Sequence, residues 1–223
     1  MDFQAFFDQY GALLAMGTWE TIVMSVVSTL GAYVLGIPLG VALVLTNPDG
    51  LKPHRVLNTV LGWIVNMGRS IPFIILLVVL IPVTRLVMGT SLGVPGAVFP
   101  LIVAAAPFVA RMVEQSIAEV DAGLIEAAQS FGASTWQIVC KVFLTESLPS
   151  LIRGFAITFI TLFGYTAMAG VVGAGGLGDI AIRYGYQRYQ DDVMVATLII
   201  TVILVQVVQS SCNFAVRKID KRK

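Results

Sequence analysis

The chain has 223 residues, 57% of them hydrophobic and only 12% charged, with a formal net charge of +1 and a mean hydropathy of +0.87. A soluble domain of this length carries far more surface charge, so that class is excluded. Near-neutrality also leaves no electrostatic footprint for nucleic acid.

A helix needs roughly 20 apolar residues to cross a hydrocarbon core about 30 Å thick. Charge-free runs at 21–48, 86–110, 154–177 and 193–216 each meet that length, and a fifth, 56–84, is interrupted by Arg69. The expected fold is all-α and polytopic: one transmembrane domain over 1–223, with five spans near 19–46, 57–88, 92–114, 148–176 and 193–216, and a polar segment at 119–146.

Before the first span, Phe3, Phe6, Phe7, Tyr10, Leu13 and Leu14 recur at helical spacing among Asp2, Gln4, Asp8 and Gln9. Two readings fit: a helix lying in the outer interface with Trp19 as an anchor, or packing against the other helices. With its acidic start, no cleavable signal peptide is expected, since such a peptide opens with a basic region. In the first span, Gly31, Gly36 and Gly40 permit close helix contact and Pro38 invites a kink.

Lysine and arginine concentrate on cytoplasmic faces. With the N-terminus outside, Lys52, Arg55, Arg111, Lys141, Arg153 and the five basic residues from Arg217 to Lys223 fall inside, and Arg85, Arg183 and Arg188 outside, ten against three. The C-terminus is then cytoplasmic. Arg69 has two readings. It lines a polar pathway at mid-depth, where a charge is costly, or the stretch before it lies partly outside the core and Ser70 and Pro72 start the spanning helix as cap and early proline.

The third span contains Pro95, Pro100, Pro107 and the run Ala104 to Ala106, which predicts a bent, tightly packed helix; Arg111 and Glu114 follow at a spacing that allows pairing. The polarity then changes. Asp121 is placed to cap a short helix containing Glu126, Ala127 and Ala128, and Gly132 to end it in the left-handed conformation. Ser134 with Gln137 forms a capping-box pattern opening a second helix, for which Trp136, Ile138, Val139 and Val142 supply apolar contacts. Such a two-helix knob suits docking, and also an ordinary amphipathic hairpin.

Gly164, Gly170, Gly173, Gly175, Gly176 and Gly178 weaken the fourth span, and broken backbone is tolerated where it lines a cavity. Met168 is the large flexible side chain there. A pair of such methionines at a two-fold axis would close an apolar gate; close packing with Met168 in the core is the other reading. Gly173, Gly175 and Gly178 match G-x-G-x-x-G, but that motif requires a preceding strand, and no G-x-x-x-x-G-K-[ST] run exists. No cofactor or nucleotide is expected. Tyr184, Tyr186, Tyr189, Arg183 and Arg188 fall in an outer loop, as interfacial anchors or as contacts for a delivery protein. The single histidine, His54, supports neither a catalytic triad nor a metal cluster, so no catalytic activity is expected. Cys140 and Cys212 are expected reduced and packed.

Residues 126–132, EAAQSFG, resemble the EAA motif of the permease subunits of bacterial ABC importers, in which a glycine follows and then Ile-x-Leu-Pro. Here those positions are Glu126, Ala127, Ala128 and Gly132, then Val142, Leu144 and Thr145, with threonine departing from the proline and Pro149 a turn later. Within that family the chain is most similar to the methionine importers, through TWETIVMS from Thr18, GRSIPFIILL from Gly68, AAPFVARMVE from Ala105 and GYTAMAGVVGAGGLG from Gly164. The resemblance implies the type I importer permease fold, location in the bacterial inner membrane and methionine import, as D- or L-isomer, by alternating access. It also implies a homodimer of permeases, a cytoplasmic ABC ATPase homodimer that docks on a coupling helix, and a substrate-binding lipoprotein at the outer face. Glu126, Ala127, Ala128 and Gly132 become the ATPase contact, with Glu126 capping or pairing. Met168, Tyr165 and Arg69 form the candidate gate and pathway set. A permease for another small amino acid or polar solute is the alternative. A secondary transporter is disfavoured, since it normally shows repeated halves and several intramembrane ionisable residues.

Overall fold

The computed structural model describes residues 3–219; Asp2 and the tail cations Lys221, Arg222 and Lys223 lie outside the described residues. Those described form helices, with no strand among them. The first, α1, runs from Phe3 to Thr46 as one rod of 44 residues, about 66 Å at 1.5 Å per residue. The expected boundary at Trp19 therefore does not exist: the amino-terminal helix and the first span are continuous, and the rod passes through Pro38. Of the two readings for the start, packing prevails on one face. Phe6, Tyr10 and Leu13 pack around buried Leu14, Ile180 and Val193, whereas Phe7 and Trp19 face outward.

The second span is not one helix over 57–88. α2 (Arg55–Ser70) and α3 (Phe73–Val79) meet at a bend of 101°, and α4 (Ile81–Met88) follows. The cause is Pro72, which lacks an amide hydrogen and disfavours helix in the residue before it. Pro72 itself occupies the cap position of α3. Ser70 does not cap; its hydroxyl donates back to Asn66 O at 2.9 Å. At the other end of α2, His54 has a structural use, its Nδ1 accepting the Leu57 amide at 3.2 Å.

Next come α5 (Gly93–Ala118), α6 (Ala122–Ser130), α7 (Thr135–Ile138), a π-helical turn at Val139–Phe143 and α8 (Leu144–Glu146). They are followed by α9 (Leu148–Ala169), α10 (Gly176–Ile180), a further π-helical turn at Ala181–Tyr186 and α11 (Asp191–Ile219). Among the described residues, four helices are long and apolar enough to cross a membrane, five if α2 and α3 count as one broken span.

The chain divides into two compact units. In the unit made of 31–70, 105–158 and 210–219, α1 packs on α5 through glycine. A Cβ on Gly36 would stand 2.5 Å from Val109 Cγ1, and one on Gly40 2.6 Å from Ala110 O. α2 reaches the same core, with Val65 buried against Leu43 and Ala110 and Gly68 pressed on Pro107. Arg111 pairs with Glu114 as expected and also donates to Asn66 Oδ1 at 2.8 Å, tying α5 to α2.

In the unit made of 3–30, 71–104 and 159–209, α10 is seated against α1. A Cβ on Gly17 would collide with Ile180. Arg183 is ion-paired to Asp179, and Arg188 lies over the Tyr184 ring at 4.5 Å. These groups, expected in an outer loop, are thus committed to local packing, while Tyr186 and Tyr189 remain exposed.

Candidate functional site

The polar island folds as its caps dictate. Asp121 Oδ1 accepts the Gly123 amide at 2.7 Å and starts α6. The helix ends where Ala133 N–H donates to Ala128 O at 3.0 Å and Gly132 turns left-handed at φ +76°, a conformation with little penalty only for glycine. Ser134 and Gln137 then form the reciprocal capping box, at 2.8 Å and 3.3 Å, that opens α7. Replacing Ser134 with alanine removes one half of that box. It is expected to cost about 1 kcal/mol of local helix stability, seen as faster amide exchange over residues 135–138.

The hairpin buries Ile138, Val139 and Phe143 but not Trp136, which is 73% exposed, nor Phe131, 91% exposed. The contact expected of Trp136 is therefore absent. Phe131 was missed by sequence reasoning; the signal was a large aromatic in the EAAQSFG run, beside a helix-ending glycine. Glu126 and Ala127 are exposed and Ala128 half-buried. Glu126 neither caps nor pairs: Asp121 supplies the cap, and no hydrogen bond or ion pair of the Glu126 carboxylate occurs among the described residues. Glu126, Ala127, Phe131 and Trp136 are thus all exposed on the capped hairpin.

Thr145, in the position of the missing proline, has a structural account. Its hydroxyl donates to Cys140 O, five residues back, at 3.1 Å, in the π-helical turn Val139–Phe143. A proline there would free a carbonyl and loosen the helix; here the wider turn loosens it and the threonine hydroxyl satisfies a carbonyl. Pro149 falls in the first turn of α9, where its missing amide costs nothing. Cys140 is exposed and not a packing residue.

The second candidate region lies where α9 ends. Tyr165 stacks on Phe73, with centroids 4.6 Å apart and planes 2° from parallel. Met168 is 47% exposed and so is not core. Beyond Ala169 the helix breaks: Val172 and Gly173 are non-helical, and Gly175 and Gly176 have φ of +81° and +82°. Glu20 Oε2 accepts the Gly176 amide at 2.7 Å and Thr21 Oγ1 accepts the Leu177 amide at 2.8 Å. Glu20 was missed by sequence reasoning; it lies just before the charge-free run 21–48. Tyr165 and Met168 share a helix and a unit. Arg69 belongs to the other unit, exposed at the end of α2, with no ion pair or hydrogen bond among the described residues. No cluster of three metal-ligating side chains occurs among the described residues.

Residues 32–223 match the family of binding-protein-dependent transport system inner membrane components. The chain belongs to this family. As a member carrying four or five membrane-length apolar helices, it is a multi-pass membrane protein. It is 48% identical over 210 residues to the probable D-methionine transport system permease protein MetI of Vibrio cholerae, covering 94% of this chain and 93% of that protein. The corresponding protein of Pasteurella multocida is 46% identical over 210 residues, covering 94% of this chain and 97% of its own. Among solved structures, a chain of the MetNI methionine ABC transporter in inward-facing conformations superposes with a TM-score of 0.94 at 48% identity, covering 95% of this chain and 98% of its own. The family match begins after Glu20 and Thr21, so the contacts these make with the glycine-rich break come from a part of the chain outside it.

Proposed function

We propose that this chain is the membrane-spanning permease subunit of an ATP-driven importer that carries methionine inward. The observation that carries this reading is the 48% identity, spread over 94% of the chain, to a D-methionine transport permease. Likeness extending along both sequences end to end leaves little room for a different task.

Alternating access is driven from outside the chain, which has no phosphate-cradling loop. A pair of cytoplasmic ABC ATPases supplies hydrolysis and docks on the hairpin face of Glu126, Ala127, Ala128, Phe131 and Gly132. A second copy of the permease completes the pathway, and a substrate-binding lipoprotein delivers methionine. The ten-to-three distribution of basic residues supports an N-terminus outside and a C-terminus in the cytoplasm of a bacterial inner membrane. Met168, exposed one turn before the helix break, closes the outer side of the pathway against its counterpart, and Tyr165 is held nearby by Phe73.

The test is uptake of labelled D- and L-methionine in cells lacking their own importer. The chain co-expressed with its ATPase restores uptake, and blocking ATP hydrolysis abolishes it. Uptake that persists with hydrolysis blocked overturns the reading.

A further inference from the structure

The amides of Gly176 and Leu177 are the first two of α10 and have no acceptor within that helix. They are met by two adjacent side chains of α1, Glu20 and Thr21, 156 residues away. A short local side chain is the usual cap; here the cap instead ties two distant segments together. The backbone is shaped around it. A Cβ on Gly175 would stand 2.6 Å from Glu20 Oε2, and one on Gly176 2.7 Å from Thr21 Oγ1. No lysine or arginine lies on α1, so the carboxylate is compensated by the amide rather than by a cation on its own helix.

On its other side, α10 interlocks with the end of α9. A Cβ on Gly178 would overlap the Ala167 backbone, and one on Gly170 would stand 2.5 Å from Asp179 N. Met168 sits inside that bracket, between Ala167 and Gly170. We propose that Glu20 is a positioning residue for the gate: with Thr21 it clamps α10 to α1, and through the glycine interlock it fixes the end of α9 and Met168 in the closed arrangement. This rests on the gate reading of Met168.

The experiment uses the complete transporter, permease with its ATPase, in liposomes. It measures amide exchange over residues 174–180, leak of labelled methionine without nucleotide, and methionine carried per ATP. Glu20→Ala is expected to speed exchange on the order of tenfold, the loss of one charge-assisted hydrogen bond, to raise leak several-fold and to lower methionine per ATP. Glu20→Gln keeps an acceptor oxygen and recovers most of all three. Faster exchange with wild-type leak and coupling makes Glu20 a structural cap only and overturns the proposal. A Glu20→Gln variant as leaky as Glu20→Ala also overturns it. If Glu20→Ala does not assemble, Glu20→Gln and Thr21→Val carry the same readouts. Met168→Ala separates the two ideas: if it stays tight while Glu20→Ala leaks, the clamp stands and Met168 is not the gate. Wild-type vesicles without ATP-driven methionine uptake overturn the functional reading and leave the exchange result intact.

Discussion

Replacing Gly178 with alanine is expected to destabilise the folded chain, whereas the same change at Gly164 is not. The two glycines lie in the same stretch and look alike in sequence. At Gly178, however, an added Cβ falls on the Cα and, at 2.8 Å, on the carbonyl oxygen of Ala167. Backbone cannot rotate away as a side chain can, so α10 must separate from α9. Overpacking of this kind costs about 1–3 kcal/mol, which for a chain of this size lowers the melting temperature by roughly 2–12 °C. At Gly164 a Cβ meets nothing within 4 Å and the residue is helical, so alanine adds helix propensity. Thermal melting of the purified chain in detergent checks both. Equal melting temperatures for Gly178→Ala and wild type would show that the α9–α10 interlock is absent.

Ala127→Arg is expected to abolish ATP-driven uptake while leaving the permease folded and inserted. Ala127 is exposed on α6, and only its backbone carbonyl, which accepts the Phe131 amide at 3.0 Å, takes part in the caps of that helix. The substitution therefore disturbs no contact that folds the hairpin. Under the proposed function this face enters a groove on the ATPase, where a large cation beside small alanines opposes close approach. Loss of a central contact costs about 2 kcal/mol or more, roughly thirtyfold in affinity. Co-purification of the ATPase with the permease measures the docking, and uptake measures its consequence. Wild-type co-purification and uptake in this variant would place the ATPase contact elsewhere. Phe131→Ala tests the same face from its most exposed residue, with a smaller loss expected because no charge is introduced.

Much of this molecule was legible in residue order. Apolar runs separated by charged turns located the membrane-length helices, because the ~30 Å hydrocarbon thickness converts directly into a residue count. The hairpin was legible in detail, since Asp121, Gly132, Ser134 and Gln137 act on neighbours within three residues. The break at Pro72 was legible as one of two options, and local sterics selected it. What could not be read was anything decided by a partner far along the chain. Trp136 was expected among the apolar contacts of its helix but is exposed, while Ile138, Val139 and Phe143 are buried. Glu126 was read as capping or pairing, but its carboxylate has no partner among the described residues.

The sequence by itself determined the class, the helices and the capped hairpin, because hydropathy, caps and prolines act over a few residues or along one segment. Only the tertiary structure decided what the glycine-rich end of α9 is. Six glycines there read equally as packing or as a break. The outcome depends on Glu20 and Thr21 reaching the Gly176 and Leu177 amides from 156 residues away. A contact between segments so distant leaves no local pattern, since its only signature is which backbone groups lack a partner until the helices come together.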